Sequence, residues 1–308
     1  MNRDLAPHTL GPTLLENGRL GCVIVHHRNI EELPTTVDLI RSQGISSDLI
    51  LVVDNSETHV PDVAFEGITQ SGVNLLRIKN RGYGDAANHG IEALLAKAIP
   101  PEFVLIATHE VKPEEGVVQK LVFGLETEPQ RMIIGPMLIS KLPDGGIRQS
   151  FGGYRTALGI PMHAETCGRP GSLSSEPIPP EILDRDWLDG AFVMYRSSFL
   201  REQRFRKEFF LYFEETDLHF RLNAYPGSIG CIPSAVVNEV ESGIPPYLRS
   251  RNLQWFIQLH GSWWQRFVTV PWVLTKIFAK VVLGKARFAA FRLGVLGWLS
   301  ACRHPIAR

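Results

Sequence analysis

The chain has 308 residues, 44% hydrophobic and 21% charged, with a formal net charge of zero. That is the composition of an ordinary soluble globular protein with a full core, in one large domain or two small ones, and not of a disordered or fibrous chain. Cys22, Cys167, Cys231 and Cys302 lie far apart and match no metal or redox spacing, so reduced thiols of a cytosolic protein are expected. The opening MNRDLAPHTL has no apolar core of the kind a signal peptide carries.

The zero charge hides a split. After Glu241 there is no Asp or Glu, against ten Lys and Arg, which leaves residues 1–241 ten charges negative. An acidic catalytic body with a basic, partner-binding tail follows from that division.

The first half alternates strand and helix signals. An apolar run over 20–27 predicts a buried strand, and 30–44 predicts a helix that stops at Gly44. Strands are expected at 48–56 and 73–80, then a helix over 84–99 with Asp85 near its start. FVLIATHEV (103–111) is a fourth strand whose tip carries His109 and Glu110. A helix over 113–127 and a strand over 131–140 complete the series. This alternation predicts an α/β fold with a mainly parallel central sheet and helices on both faces. Ligands bind beyond the carboxyl ends of such strands. That edge carries His26, His27 and Arg28, then Asp54 and Asn55, then 80–88, then Thr108 to Glu110. No Gly-x-Gly-x-x-Gly follows the first strand, which disfavours the usual dinucleotide fold.

Residues 141–186, rich in Gly, Pro and Ser, read as a long loop region. A strand leading into a helix is expected over 187–200, a helix at the end of 208–227, and a strand over 228–240. From 247 the pattern is helical, basic and aromatic. Lys276, Lys280, Lys285 and Arg292 interrupt every apolar stretch short of the roughly 20 residues a bilayer span takes. Amphipathic helices that pack on the catalytic domain, or lie in a membrane surface, fit this pattern.

Several motifs stand in a characteristic order: LVVDNS (51–56), NRGYGDAANHG (80–90), ATHE (107–110), LDGAFVMYR (188–196), FFLYFEETDLHFRL (209–222) and RN (251–252). With these the chain resembles the inverting family 2 glycosyltransferases of GT-A fold, especially a bacterial rhamnosyltransferase-like branch, over roughly residues 20–300. The resemblance implies a GT-A catalytic domain over 1–241, with a nucleotide-sugar half at about 18–140 and an acceptor half at 141–241, followed by a helical segment at 242–308.

It also implies roles. Asp54 would contact the nucleotide, with His26, Asn80, Arg81, Gly82, Asn88 and Thr108 completing a nucleotide-sugar site. Asp54 also suits a plain turn, and Asp85 a helix cap. Glu110 stands where the branch has a metal-binding Asp, and His109 beside it suits Mn²⁺ better than Mg²⁺. Trp187, Asp189, Gly190, Arg251 and Asn252 would face the donor sugar or acceptor, although a packed core position suits Trp187 equally. Glu214, Glu215 and Asp217 form the catalytic candidate. Glu215 falls at the base position, and three acids this close are expected to raise one another's pKa. The implied activity is sugar transfer from a nucleotide-diphosphate donor to a glycan or polyprenyl-linked acceptor, in cell-surface polysaccharide synthesis. Such an enzyme would be cytoplasmic, and peripheral on the inner face of the plasma membrane through 263–308, with no nucleic-acid partner. The alternative is a non-catalytic sugar-nucleotide or glycan-binding protein on the same fold.

Overall fold

The structure is a computed structural model that describes residues 18–57, 60–142, 145–168, 181–222, 224–240, 243–284 and 286–307. The boundary expected at 241–242 and part of the stretch 141–186 lie outside these residues. Strands β1 (Leu20–His26), β2 (Ile50–Asp54), β3 (Asn74–Arg77) and β4 (Phe103–Thr108) pair in parallel in the order β3-β2-β1-β4. Every residue of β1 and β2 is buried, which is why their sequences are unbroken apolar runs rather than alternating ones.

The sheet continues as a mixed one. It includes β5 (Lys112–Pro113) at the far edge, β6 (Ile133–Lys141), β10 (Phe192–Arg196) and β11 (Ile229–Glu239). β10 runs antiparallel between β4 and β6, and β6 and β11 run parallel. The short strand β9 (Leu183–Asp184) pairs with β11. The stretch read as a loop region instead contains a hairpin of β7 (Ile147–Arg155) and β8 (Pro161–Gly168), extending from β6. It escapes a sequence reading for a physical reason: β8 has no fully buried residue, and a bulge between Ser150 and Gly153 breaks the alternation.

Helices cover both faces. One side of the sheet packs against α1 (Leu33–Ser42), α2 (Glu66–Gln70) and α4 (Val117–Thr127), through Val37, Ile40, Ile68 and Leu121. The other packs against α3 (Tyr83–Leu95), α5 (Ser197–Glu202) and α6 (Glu214–Phe220), through Ile91, Leu94, Phe199 and Leu218. Three further helices follow: α7 (Pro246–His260), α8 (Gln265–Val282) and α9 (Phe288–Arg303). They share a third core with the body, in which Phe256 and Ile257 of α7, Val270 of α8 and Ala301 of α9 meet Trp187, Phe209 and Phe220. α9 lies close on α7 because Gly294 and Gly297 carry no side chain, and a methyl at Gly297 would overlap the Tyr247 carbonyl.

Candidate active site

The carboxyl ends of β1, β2 and β4, the start of β10 and the N-terminus of α6 converge on one edge. Thr108 at the end of β4 donates its amide to the Ala191 carbonyl at 2.9 Å. Gly190 lies beside Glu215, where an added methyl would sit 3.1 Å from the Glu215 side chain. Tyr83, at the start of α3, donates its hydroxyl to the Gly190 carbonyl at 2.7 Å. These contacts gather Thr108, Gly190, Tyr83 and Glu215 at one place.

The three acids of α6 separate electrostatically instead of raising one another together. Burial, reinforced by the charge of Glu215, pushes Glu214 well above the usual carboxylate range, and its Oε2 is buried without a partner. Glu214 therefore holds its proton more tightly than an ordinary carboxylic acid. Burial also lifts Glu215, to about 7, with nearby Asp189 adding to the rise while Thr216, whose hydroxyl donates at 3.1 Å, opposes it. Asp217 moves the other way. Burial would raise it, but His260 at 2.8 Å and Arg221 hold it below its ordinary value. Arg206 adds a second guanidinium at 3.3 Å. Asp217 is wholly buried in this cluster, so the shared proton raising expected for it does not occur, and its carboxylate braces α6 against α7.

Asp189 is held from the hairpin. Ser150 donates to its Oδ2 at 2.6 Å, and His163 Nδ1 lies 3.3 Å from Oδ1. Burial opposes its ionisation, yet the bond to His163 keeps it below the usual range. The segment before it is pinned by His219, whose Nδ1 accepts the Leu188 amide at 3.1 Å, which leaves Nε2 to donate to the Tyr195 oxygen at 2.9 Å. Burial pushes His219 down to about 3, so it is neutral. Ser150 and His163 were missed because their strands were read as loop. The polar-apolar alternation of MHAET was the available signal.

Several motif residues turn inward. Asp54 is 1% exposed. Its Oδ1 accepts His26 Nδ1 at 2.8 Å and the Ser56 amide at 3.1 Å, and its Oδ2 accepts Arg77 Nε at 2.9 Å. Burial would raise its pKa, but the bonds from His26 and Ser56 bring it to about 2. These bonds let Asp54 order the β1–β2 edge, and they hold its side chain in place at the carboxyl end of β2. Asn88 spends its amide on Phe205, donating to its carbonyl at 2.9 Å and accepting its N–H at 3.0 Å. Trp187 is 4% exposed and packs in a T-shaped contact with His163, as a core position would have it. Arg251 and Asn252 bond the 209–212 backbone. In each case a residue suited to a ligand is equally suited to a neighbouring backbone, and only packing chooses between them.

The 80–84 turn is built for close approach. Asn80 accepts the Gly82 amide at 3.1 Å, Gly82 takes φ +100°, and Arg81 is exposed on the turn. A methyl on Gly82 would overlap the Phe210 carbonyl.

At the β4 tip, Thr36 pins the backbone by donating to the His109 carbonyl at 2.7 Å. His109 Nε2 is buried without a hydrogen-bond partner and lies 3.5 Å from Glu110 Oε1, which also accepts from Asn29 at 3.2 Å. Among the described residues no group of three or more His, Cys, Asp or Glu gathers as a metal centre. One orphaned imidazole nitrogen beside one carboxylate fits a divalent cation that takes its remaining ligands from a bound diphosphate.

No family model matches the chain. Among curated proteins it is 26% identical over 264 residues to the N-acetylglucosaminyl-diphospho-decaprenol L-rhamnosyltransferase of Mycobacterium tuberculosis strains CDC 1551 and H37Rv, covering 77% of this chain and 82% of that protein. Among solved structures it is similar to a mannosyltransferase from Pyrobaculum calidifontis in complex with GDP-Man and Mn²⁺. That match has TM-score 0.55 and 14% identity, and covers 98% of this chain and 84% of that one. GalNAc-T7 with UDP, GalNAc and Mn²⁺ matches with TM-score 0.59 at 13% identity, over 83% of this chain and half of that longer protein. Glucosyl-3-phosphoglycerate synthase from Mycobacterium tuberculosis, with Mn²⁺ and UDP-glucose, matches with TM-score 0.52 at 15% identity, over 80% of this chain and 81% of that one. The structural likenesses define the fold, and the curated relative gives the sequence likeness. The chain is a glycosyltransferase of GT-A fold. Its sequence is rhamnosyltransferase-like within that class.

Proposed function

We propose that the chain moves a hexose, rhamnose by its sequence likeness, from a nucleotide-diphosphate donor to a hydroxyl of a lipid-linked glycan, with inversion. The observation that carries this reading is the division of labour on α6. Glu215 borders Gly190 with a proton affinity near neutrality, Glu214 is pushed further toward its neutral form by burial, and the charge of Asp217 is already compensated. A base takes the acceptor proton best when its pKa lies near the working pH. In this reading Glu215 accepts the proton of the attacking hydroxyl, and Asp189, fixed by Ser150 and His163, orients a sugar hydroxyl. The 80–84 turn brings backbone close to the donor, and Arg81 offsets diphosphate charge. Glu110 and His109 would hold a divalent cation, which supplies charge stabilisation to the departing diphosphate.

The lipid part of the acceptor is supported by the α8–α9 surface. Trp263, Phe267, Trp272, Phe278, Val282 and Phe288 are exposed there, and Lys276 lies 5.2 Å from the Trp272 ring. No helix of the described residues is long and apolar enough to cross a membrane. An apolar ridge amid cations, with no acid in the segment, suits the interface of an anionic bilayer, and supports the reading of a peripheral enzyme on the inner face of the plasma membrane.

The test is a donor screen by mass spectrometry with dTDP-, UDP- and GDP-sugars and a prenyl-diphosphate-linked N-acetylglucosamine acceptor, run with Mn²⁺, Mg²⁺ and EDTA. The anomeric configuration of the product is compared with that of the donor by NMR, and retention at the anomeric carbon would overturn the inverting assignment. Full activity in EDTA would remove the cation from the reading.

A further inference from the structure

The segment 209–213 is the most contorted part of the described chain. Phe210, Tyr212 and Phe213 have φ of 68°, 68° and 74°, a region that side-chain-bearing residues avoid. Such a conformation persists only when its surroundings impose it, and it runs directly into Glu214 and Glu215. What imposes it comes from α7. Asn252, wholly buried, directs its Nδ2 at the carbonyls of Phe209, Leu211 and Tyr212, at 3.1, 2.9 and 2.8 Å. Arg251 Nη2 donates to the Phe209 carbonyl at 2.7 Å, and its Nε donates to Asn252 Oδ1 at 2.9 Å, which fixes the orientation of the amide. On the opposite side, the Phe210 carbonyl accepts the Tyr83 amide at 2.8 Å, so the same segment also supports the 80–84 turn. At its other end α7 grips α6 again, through His260 on Asp217.

We infer that Asn252, oriented by Arg251, is a positioning residue that sets the place of Glu215 through the backbone of 209–213, and does not contact sugar. The inference rests on Glu215 being the base. The groups facing Glu215 are Glu214 on its own helix, Asp189 with its partner His163, and the hydroxyls of Tyr83 and Tyr195. None of these belongs to α7, and the bonds of Asn252 go to the backbone of 209–212 that leads into Glu215.

The experiment compares full-length wild type, Asn252→Asp, Arg251→Met and Glu215→Gln by steady-state kinetics across pH 5–9. Asn252→Asp keeps the shape but turns a donor into an acceptor facing three carbonyls. It is expected to lower kcat about 100-fold, the scale of a misplacement of roughly 1 Å, with KM for donor and acceptor little changed. The acid limb of its pH–rate profile is expected to move, because Glu215 leaves its buried setting. A raised KM at unchanged kcat would mean sugar contact and would overturn the inference, as would a wild-type rate and profile. If Asn252→Asp does not fold, Arg251→Met decides: a lowered kcat with a moved limb supports the positioning role, and a wild-type profile overturns it. Full activity in Glu215→Gln would sink the choice of base itself. An inactive Glu215→Gln beside a wild-type Asn252→Asp would sink only the inference about α7.

Discussion

Replacing Glu215 by Gln separates catalysis from stability. A general base contributes typically 10²–10⁴-fold, so kcat should fall by that factor, or about 3–5 kcal/mol of transition-state stabilisation. In the wild type, with Glu215 at about 7, the working carboxylate is half formed at pH 7. The rate should therefore climb roughly tenfold for each pH step below 6 and level off above 8. The stability effect has the opposite sign. An acid whose folded pKa is raised binds its proton more tightly in the native state, so its contribution is present below the unfolded value of 4.5 and is lost as pH rises through about 7. Gln carries no such loss, so above pH 7 the variant should melt higher than wild type, by at most about 3 kcal/mol of stability. Glu214→Gln puts a neutral amide where burial already favours the neutral acid, and should leave the limb where it is. Kinetics from pH 5 to 9 and thermal melts at pH 5 and 8 check all three statements. A wild-type rate in Glu215→Gln, or an acid limb in the ordinary carboxylate range, would refute the reasoning.

Gly82→Ala should cost about 1–3 kcal/mol from its positive φ alone, and more from the displaced Phe210 carbonyl, with a lowered kcat because the 209–213 segment moves; denaturant melts and kinetics read both. Phe267→Glu and Trp272→Glu place a charge on the exposed α8 face and should abolish sedimentation with vesicles containing phosphatidylglycerol, while leaving the melt unchanged; equal binding of wild type to pure phosphatidylcholine vesicles would count against an electrostatic contribution. Truncation at 263 is the poorer test, because Val270, Leu274 and Ala301 belong to the core shared with Trp187 and Phe209.

Local sequence determined a good deal. β1, β2 and β4 are legible because strands buried on both faces must be continuously apolar, and α3 because Ala87, Ile91 and Leu94 recur at helical spacing after Gly82. Their alternation also determined which edge collects the polar residues. The motif order around Glu215 was likewise readable, since it depends on residue type and spacing alone. What each polar group does was decided by tertiary structure. Asp54, Asn88, Asn252 and Asp217 have side chains that serve a ligand or a backbone equally well, and the choice depends on which distant segment, Arg77, Phe205, 209–212 or His260, closes over them. The proton affinities of Glu214, Glu215 and Asp217 diverge for the same reason: three neighbours in sequence meet three different environments in the fold. Hydrophobic periodicity is a local property of the chain, whereas desolvation and hydrogen-bond pairing are properties of the packed molecule.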